Sequence, residues 1–157
     1  MPQHAKLSYL VRQTQLATYR ELDQALRGFG VTPTQYTVLA ILSRRGESLS
    51  SAALARRLGV TAQSANEIVA TLGTQDLVRR VEDAANRRIL QLQLTPKGRN
   101  LLARCDAAVD RSEQAFFGAL SAAEREVLRE LLIRVIAADR AQATAAPAAT
   151  AAKRARG

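Results

Sequence analysis

Apolar side chains recur at helical spacing along most of this chain and switch once to strand-like alternation. Leu7, Leu10, Val11, Thr14, Ala17, Leu22, Ala25, Leu26 and Phe29 form a stripe that predicts a long first helix over 7–29. Tyr9, Leu16 and Tyr19 fall outside that stripe. The helix therefore carries more apolar surface than one core face needs, which points to a second packing partner such as another subunit. "TPTQ" opens a second helix, with Thr32 as N-cap, Pro33 at the first position and Gln35 as the reciprocal cap. Tyr36, Val38, Leu39, Ile41 and Leu42 fill it, and it stops before Gly46.

Two short helices follow. Ser50 or Ser51 caps the first, which runs through Leu58 and closes on Gly59. Thr61 caps the second, whose inward positions are Ala65, Ile68, Val69 and Leu72. A pair of short helices joined by a glycine turn is a helix-turn-helix. Over 77–82 and 89–95 the period becomes two: Leu90, Leu92 and Leu94 alternate with Gln91, Gln93 and Thr95, which predicts one buried and one wet face. "TPKG" restarts a helix at Thr95–Pro96, lined by Leu101, Leu102, Cys105, Ala108, Val109 and Phe116. "SAAE", from Ser121 to Glu124, is a capping box for a last helix to about Arg140, striped by Val127, Leu128, Leu131, Leu132, Val135 and Ile136. From 141 the chain is Ala/Thr/Pro-rich with a basic end and lacks large apolar residues, a composition that predicts disorder.

The expected fold class is thus mainly α (α+β). Helix, helix, short strand, helix-turn-helix, β-hairpin and two helices make a winged helix with a helical region around it. The expected division is 1–32 and 96–140 for the helical region, 33–95 for the winged helix-turn-helix, and 141–157 for the tail.

Charge adds a partner. The 157-residue chain has 23 Lys+Arg against 14 Asp+Glu, a formal net charge of +9. Residues 44–104 hold eleven basic and five acidic side chains, so the excess sits with the helix-turn-helix and hairpin. That suggests a polyanion, nucleic acid or an acidic membrane surface. An arginine-rich composition also follows from a GC-rich genome, so the distribution is more telling than the total.

The second helix of the pair would enter the major groove of double-stranded DNA. Thr61, Gln63, Ser64, Asn66 and Glu67 offer short hydrogen-bonding side chains on its outward side, with Ser50 and Ser51 at the start of the preceding helix. Gln and Asn can bind adenine bidentately, and Glu can accept from cytosine N4. The connector "EDAANRR" between the strands ends in Arg87 and Arg88, a pair suited to a narrow minor groove. Ordinary solvated faces and turn charges would look alike in isolation; the order of the motifs favours the DNA-binding reading.

Other chemistry has little support. One cysteine makes neither a disulfide nor a zinc site, and it fits a reducing cytoplasm. Cys105 lies on an apolar stripe, the setting of an inert buried thiol. His4 is the sole histidine and sits in an N-terminus expected to fray, so no metal site or cofactor is expected. No apolar leader and no run of about 18 apolar residues appear, so neither a signal peptide nor a membrane span is expected. No nucleophile–base pair or glycine-rich phosphate loop stands out, and no enzyme is expected.

"LARRLGVTAQSANEIVATLGTQDLVRR", "EDAANRR" and "LQLTPKGRNLL", in that order, resemble the MarR family of bacterial winged-helix regulators, over about residues 7–140. The resemblance implies an obligate homodimer whose first and last helices interlock. It places a recognition helix at about 61–75 in the major groove and a wing at 82–88 in the minor groove of a pseudo-palindromic operator. It further implies repression released by a small aromatic or anionic effector, in the cytoplasm at the nucleoid. Tyr9, Arg12, Arg20 and Tyr36 are candidates for the effector cleft, and core tyrosines with surface arginines would give the same pattern. Two positions depart from the family: Asn86 and Thr61 stand where an Asp is usual, which leaves the wing arginines less neutralised. Asn86 also tolerates a left-handed turn. The family's peroxide-sensing branch uses a cysteine near the start of the first helix, and none is there. A DNA-coating architectural protein without an effector is the alternative.

Overall fold

The computed structural model describes residues 5–44, 49–83 and 90–154, with backbone only at 140 and from 142 onward. Among them are six helices and one two-stranded sheet, arranged in two units, 1–116 and 117–157.

In the first unit α1 spans Leu7–Ala25 and ends four residues earlier than the apolar stripe suggests. The chain leaves it through Gly28 and Gly30, both at positive φ (+90° and +73°), a region that glycine enters without strain. Thr32 and Gln35 form the expected capping box of α2 (Pro33–Leu42): Gln35 N–H donates to Thr32 Oγ1 at 3.2 Å, and Thr32 N–H to Gln35 Oε1 at 2.9 Å. Ser50 caps α3 (Ser51–Leu58), and Gly59 closes it at φ +68°, with Val60 N–H donating to Ala55 O at 3.1 Å.

Helix α4 (Ala62–Thr74) ends differently. Asp76 N–H donates to Gly73 O and Leu77 N–H to Leu72 O, both at 2.9 Å, the Schellman pattern. The left-handed position is Asp76, at φ +56°, where a glycine is usual. Strands β1 (Val78–Glu82) and β2 (Leu90–Leu94) then pair antiparallel in the register Val78↔Leu94, Arg80↔Leu92, Glu82↔Leu90. Leu49, where the short strand before α3 is expected, adds an isolated bridge to Leu92. Leu92 and Leu94 are buried as the alternation predicts, but Leu90 is 47% exposed. It pairs with Glu82 at the far end of the hairpin, beyond the reach of the core.

One core holds these elements together. Leu26, Val38, Leu39, Leu54, Leu72, Leu92 and Cys105 are its most deeply buried members, drawn from the α1–α2 turn, α2, α3, α4, β2 and α5 (Pro96–Phe116). Helix α1 itself contributes no buried residue: Leu7, Tyr9, Val11, Leu16 and Tyr19 are exposed in the single chain.

The second unit is α6 (Ala122–Arg154), opened by the expected Ser121–Glu124 capping box. Hydrogen bonds from the Ser121 hydroxyl and amide hold the Glu124 carboxyl below its usual range. Val127, Leu131, Leu132, Ile133, Val135 and Ile136 are exposed along this helix. The sequence suggested an end near Arg140 and a disordered tail, whereas the backbone continues as helix to Arg154. Alanine has the highest helix propensity, so an Ala-rich run extends a helix already nucleated without needing a core.

The entry to α5 is unusually close. A Cβ added at Gly98 would lie 2.1 Å from the Leu77 carbonyl oxygen and 3.0 Å from its carbon. Backbone cannot yield as a flexible side chain can, so glycine is needed here for space. We expect Gly98→Ala to destabilise the fold by about 1–3 kcal/mol, seen as a lowered thermal midpoint; an unchanged midpoint would refute this packing.

Candidate nucleic-acid interface

Helix α4 is oriented by its inner face. Ala65, Val69 and Leu72 are buried, while Ile68 is only half-buried. That anchoring turns Thr61, Gln63, Asn66, Glu67 and Thr71 to solvent. Thr61 is committed to capping: its Oγ1 accepts from Ser64 N–H at 3.1 Å and lies 2.9 Å from Ser64 Oγ. Gln63 Nε2 donates to Glu67 Oε1 at 3.1 Å, one turn on. Asn66 Oδ1 accepts from Arg80 of β1 at 3.4 Å, a long bond that ties the recognition row to the hairpin. The structure therefore places Gln63, Asn66 and Glu67 on one exposed stripe.

Ser50 and Ser51 are half-buried at the start of α3, and Ser50 Oγ accepts from Ala53 N–H at 3.3 Å. Their position gives them the helix N-terminus, whose free amides favour a phosphate oxygen. Asn86, Arg87 and Arg88 lie outside the described residues, as does His4. The strands leading to the wing are described to Asp83 and from Leu90, with Gln91 Nε2 donating to Asp83 Oδ2 at 2.5 Å. Arg80 is the residue that sequence reasoning missed. Its signal was "VRRV", two adjacent arginines in a strand with a helix-turn-helix just before it.

The four effector candidates are dispersed in their roles. Tyr9, Arg12 and Arg20 are exposed on α1. Tyr36 is half-buried and donates its hydroxyl to Asp106 Oδ1 of α5 at 2.8 Å. Burial, then this bond and the carboxylate's charge, raise its pKa well above the ordinary phenol value. None of the four lines the cleft of about 600 Å³ that lies between the α1–α2 turn, the end of α4 and the first turns of α5. Phe29, Gln75, Lys97, Asn100, Leu101 and Arg104 contribute to that cleft. Cys105 is fully buried, and burial pushes its thiol pKa up, away from the reactive thiolate. Among the described residues no group of three His, Cys, Asp or Glu could hold a metal ion, and no helix is long and apolar enough to cross a membrane.

Replacing the cap tests how the recognition helix is set. Thr61→Ala should cost about 1 kcal/mol of stability, measured by urea unfolding, with a parallel loss of DNA affinity; full stability in this variant would show that the cap is dispensable.

The family model described as MarR family matches residues 29–89, from the α1–α2 turn through the helix-turn-helix to the wing. A protein named for transcriptional regulation of the hcr operon in Thauera aromatica is 34% identical over 135 residues, covering 85% of this chain and 81% of that protein. The HTH-type transcriptional repressor Rv2887 of Mycobacterium tuberculosis is 30% identical over 82% of this chain and 91% of its own length. Its crystal structure, a complex with p-aminosalicylic acid, superposes with a TM-score of 0.69 over 83% of this chain and 98% of that one, at 29% identity. The transcriptional repressor CouR bound to a 23-mer DNA duplex matches with a TM-score of 0.75 at 26% identity, over 83% of this chain and 92% of that one. With relatives at this identity covering most of their own length, and a winged helix that superposes on theirs, the chain belongs to the MarR family of transcriptional regulators.

Proposed function

We propose that the protein is a homodimeric, sequence-specific repressor, released from its operator by a small aromatic or anionic effector. The observation that carries this reading is the exposed row Gln63, Asn66 and Glu67, fixed by the buried Ala65, Val69 and Leu72 and tied to the hairpin through Arg80. Such a row offers donors and acceptors in the pattern a major groove reads. In this reading Ser50, Ser51, Thr61 and Ser64 position the protein on phosphates, and Asn86, Arg87 and Arg88 enter the minor groove. That CouR was captured on duplex DNA and Rv2887 with p-aminosalicylic acid supports both halves of the proposal.

The dimer follows from surface physics. Exposed contiguous apolar faces are uncommon on monomers. Both α1 and α6 carry them, from Leu7 to Tyr19 and from Val127 to Ile136. We assign 1–32 and 96–140 to dimerisation and 33–95 to DNA binding. Two copies then meet half-sites of a pseudo-palindrome about one helical turn apart. The protein acts in the cytoplasm, at the nucleoid, and catalysis has no part in this role.

Specificity is the decisive measurement. A palindrome from the gene's own promoter should bind at least about a hundredfold more tightly than scrambled duplex at ~150 mM salt. Equal affinities would replace the repressor with a nonspecific DNA-coating protein. Base and backbone contacts separate by mutation. Gln63→Ala or Asn66→Ala should relax preference at individual base pairs, each by about 1–3 kcal/mol. Arg87→Ala with Arg88→Ala should weaken every sequence alike and flatten the salt dependence. Unaltered binding by the double variant would remove the wing from the interface.

A further inference from the structure

On the reading of the chain as a sequence-specific DNA-binding regulator, we propose that Arg80 sets the base preference of the recognition helix. By holding Asn66 Oδ1 it leaves Asn66 a hydrogen-bond donor towards DNA, so that this position selects guanine and not adenine.

Strand geometry brings Arg80 to the helix. Side chains alternate across a strand, so Val78 and Arg80 share one face of β1 and Arg79 takes the other. Val78 is buried, and so are Leu94 and Leu92, the cross-strand partners of Val78 and Arg80. Arg80 thus extends from the core face of the hairpin at the point where burial ends, and it is itself exposed. There its Nη2 donates to Asn66 Oδ1 of α4 at 3.4 Å. Arg79, one residue earlier, donates instead to Gln93, its own cross-strand partner, at 3.4 Å. The two adjacent arginines therefore have different tasks.

An asparagine with both ends free reads adenine through two bonds: Nδ2 donates to N7, and Oδ1 accepts from the N6 amine. A guanidinium on Oδ1 removes the second of these. A charged donor makes a stronger bond than a neutral amine, and its positive charge repels the N6 protons. What Asn66 keeps is Nδ2, which makes no hydrogen bond among the described residues. On the major-groove edge guanine offers such a donor two acceptors, O6 and N7, and no competing donor. Adenine sets its N7 beside an amine, thymine sets O4 beside a methyl, and cytosine presents an amine. Guanine is the base that Asn66 with Arg80 favours.

The rest of the row has the opposite character. Gln63 Nε2 is engaged by Glu67 Oε1 at 3.1 Å, which leaves a carbonyl oxygen and a carboxylate to accept from cytosine or adenine amines. Thr61 is committed to its cap, and the Thr71 hydroxyl donates to the Glu67 backbone carbonyl at 3.0 Å. Asn66 is thus the place in the row where guanine is read.

Selection from a randomised duplex library by the full chain tests this, followed by affinities for the selected duplex and its single-base variants at ~150 mM salt. The wild type should enrich a palindrome with a guanine in each half-site, and adenine in its place should weaken binding about tenfold. Asn66→Ala should lose the preference at that position alone. Arg80→Ala should select adenine there. Arg80→Lys, which keeps a cation on Oδ1, should retain guanine, and Arg79→Ala should leave the motif unaltered. Thermal melts verify that each variant is folded. Adenine at that position in the wild type, or an unchanged motif in Asn66→Ala or Arg80→Ala, would overturn the proposal. So would a switch to adenine in Arg79→Ala. A uniform loss of affinity with a flatter salt dependence in Arg80→Ala would make Arg80 a phosphate contact instead. Loss of guanine without gain of adenine would mean that Arg80 reads the base itself, and either result removes its hold on Asn66 as the cause. A chain that enriches no sequence sinks the repressor reading as well, whereas an enriched palindrome with any of these contrary results sinks the role of Arg80 alone.

Discussion

The turn that follows the DNA-reading helix is fastened by one buried hydroxyl, that of Thr95. It donates to the Asp76 carbonyl oxygen at 2.6 Å and accepts from Gly98 N–H at 2.9 Å, while the Thr95 amide donates to Leu77 O at 3.1 Å. One residue therefore caps α5, ends β2 and fastens the turn that follows α4. Thr95 is the buried polar residue of the described core, and it is tolerated because each of its polar groups is satisfied. Gly98 makes the arrangement possible by letting α5 approach the Leu77 backbone. Lys97 and Arg99 add bonds to Gln75 O and Leu94 O on either side. Helix, hairpin and long helix thus meet at a junction a few residues wide.

What could be read from the sequence was set by short-range chemistry. Thr32 with Gln35, Ser50, Thr61, Thr95 and Ser121 with Glu124 all cap the helices they were expected to cap. Gly59 ends α3 in the left-handed conformation expected of it. These devices involve residues three or four apart, so the local sequence contains both partners. The family pattern rests on the same signals, which is why fold and family were legible together.

The remainder depended on partners far away in the chain. Asp76 takes the left-handed position at the end of α4 without being a glycine, and its carbonyl is held by Thr95, nineteen positions on. Leu90 follows the alternation but lies past the edge of what α2 to α5 can cover, so its apolar character did not predict burial. Tyr36 reads as a ligand residue on its own helix, yet its hydroxyl bonds to Asp106, seventy positions on. The long α6 misled in the opposite sense: composition argued for disorder, and alanine's helix propensity is local information that was outweighed by the missing core. Arg80 escaped notice because its bond to Asn66 joins a strand to a helix that precedes it by fourteen positions.

The junction also explains why a small change beside it has leverage on DNA binding. Helix α4 has 13 residues, hence a length of about 20 Å. A tilt of about 10° at its Gln75 end moves the Thr61 end by about 3 Å. That is close to the rise of one base pair, about 3.4 Å, so the row Gln63, Asn66 and Glu67 would lose its register with the bases. In a dimer on two half-sites both helices must fit at once, and the mismatch is felt twice. A repressor of this design needs no large rearrangement to let go. It needs its recognition helix firmly held in one state and its C-terminal fastening open to exchange in the other. The contact of Lys97 with Gln75 O is a fastening at that end: charged, exposed, and made by a single side chain.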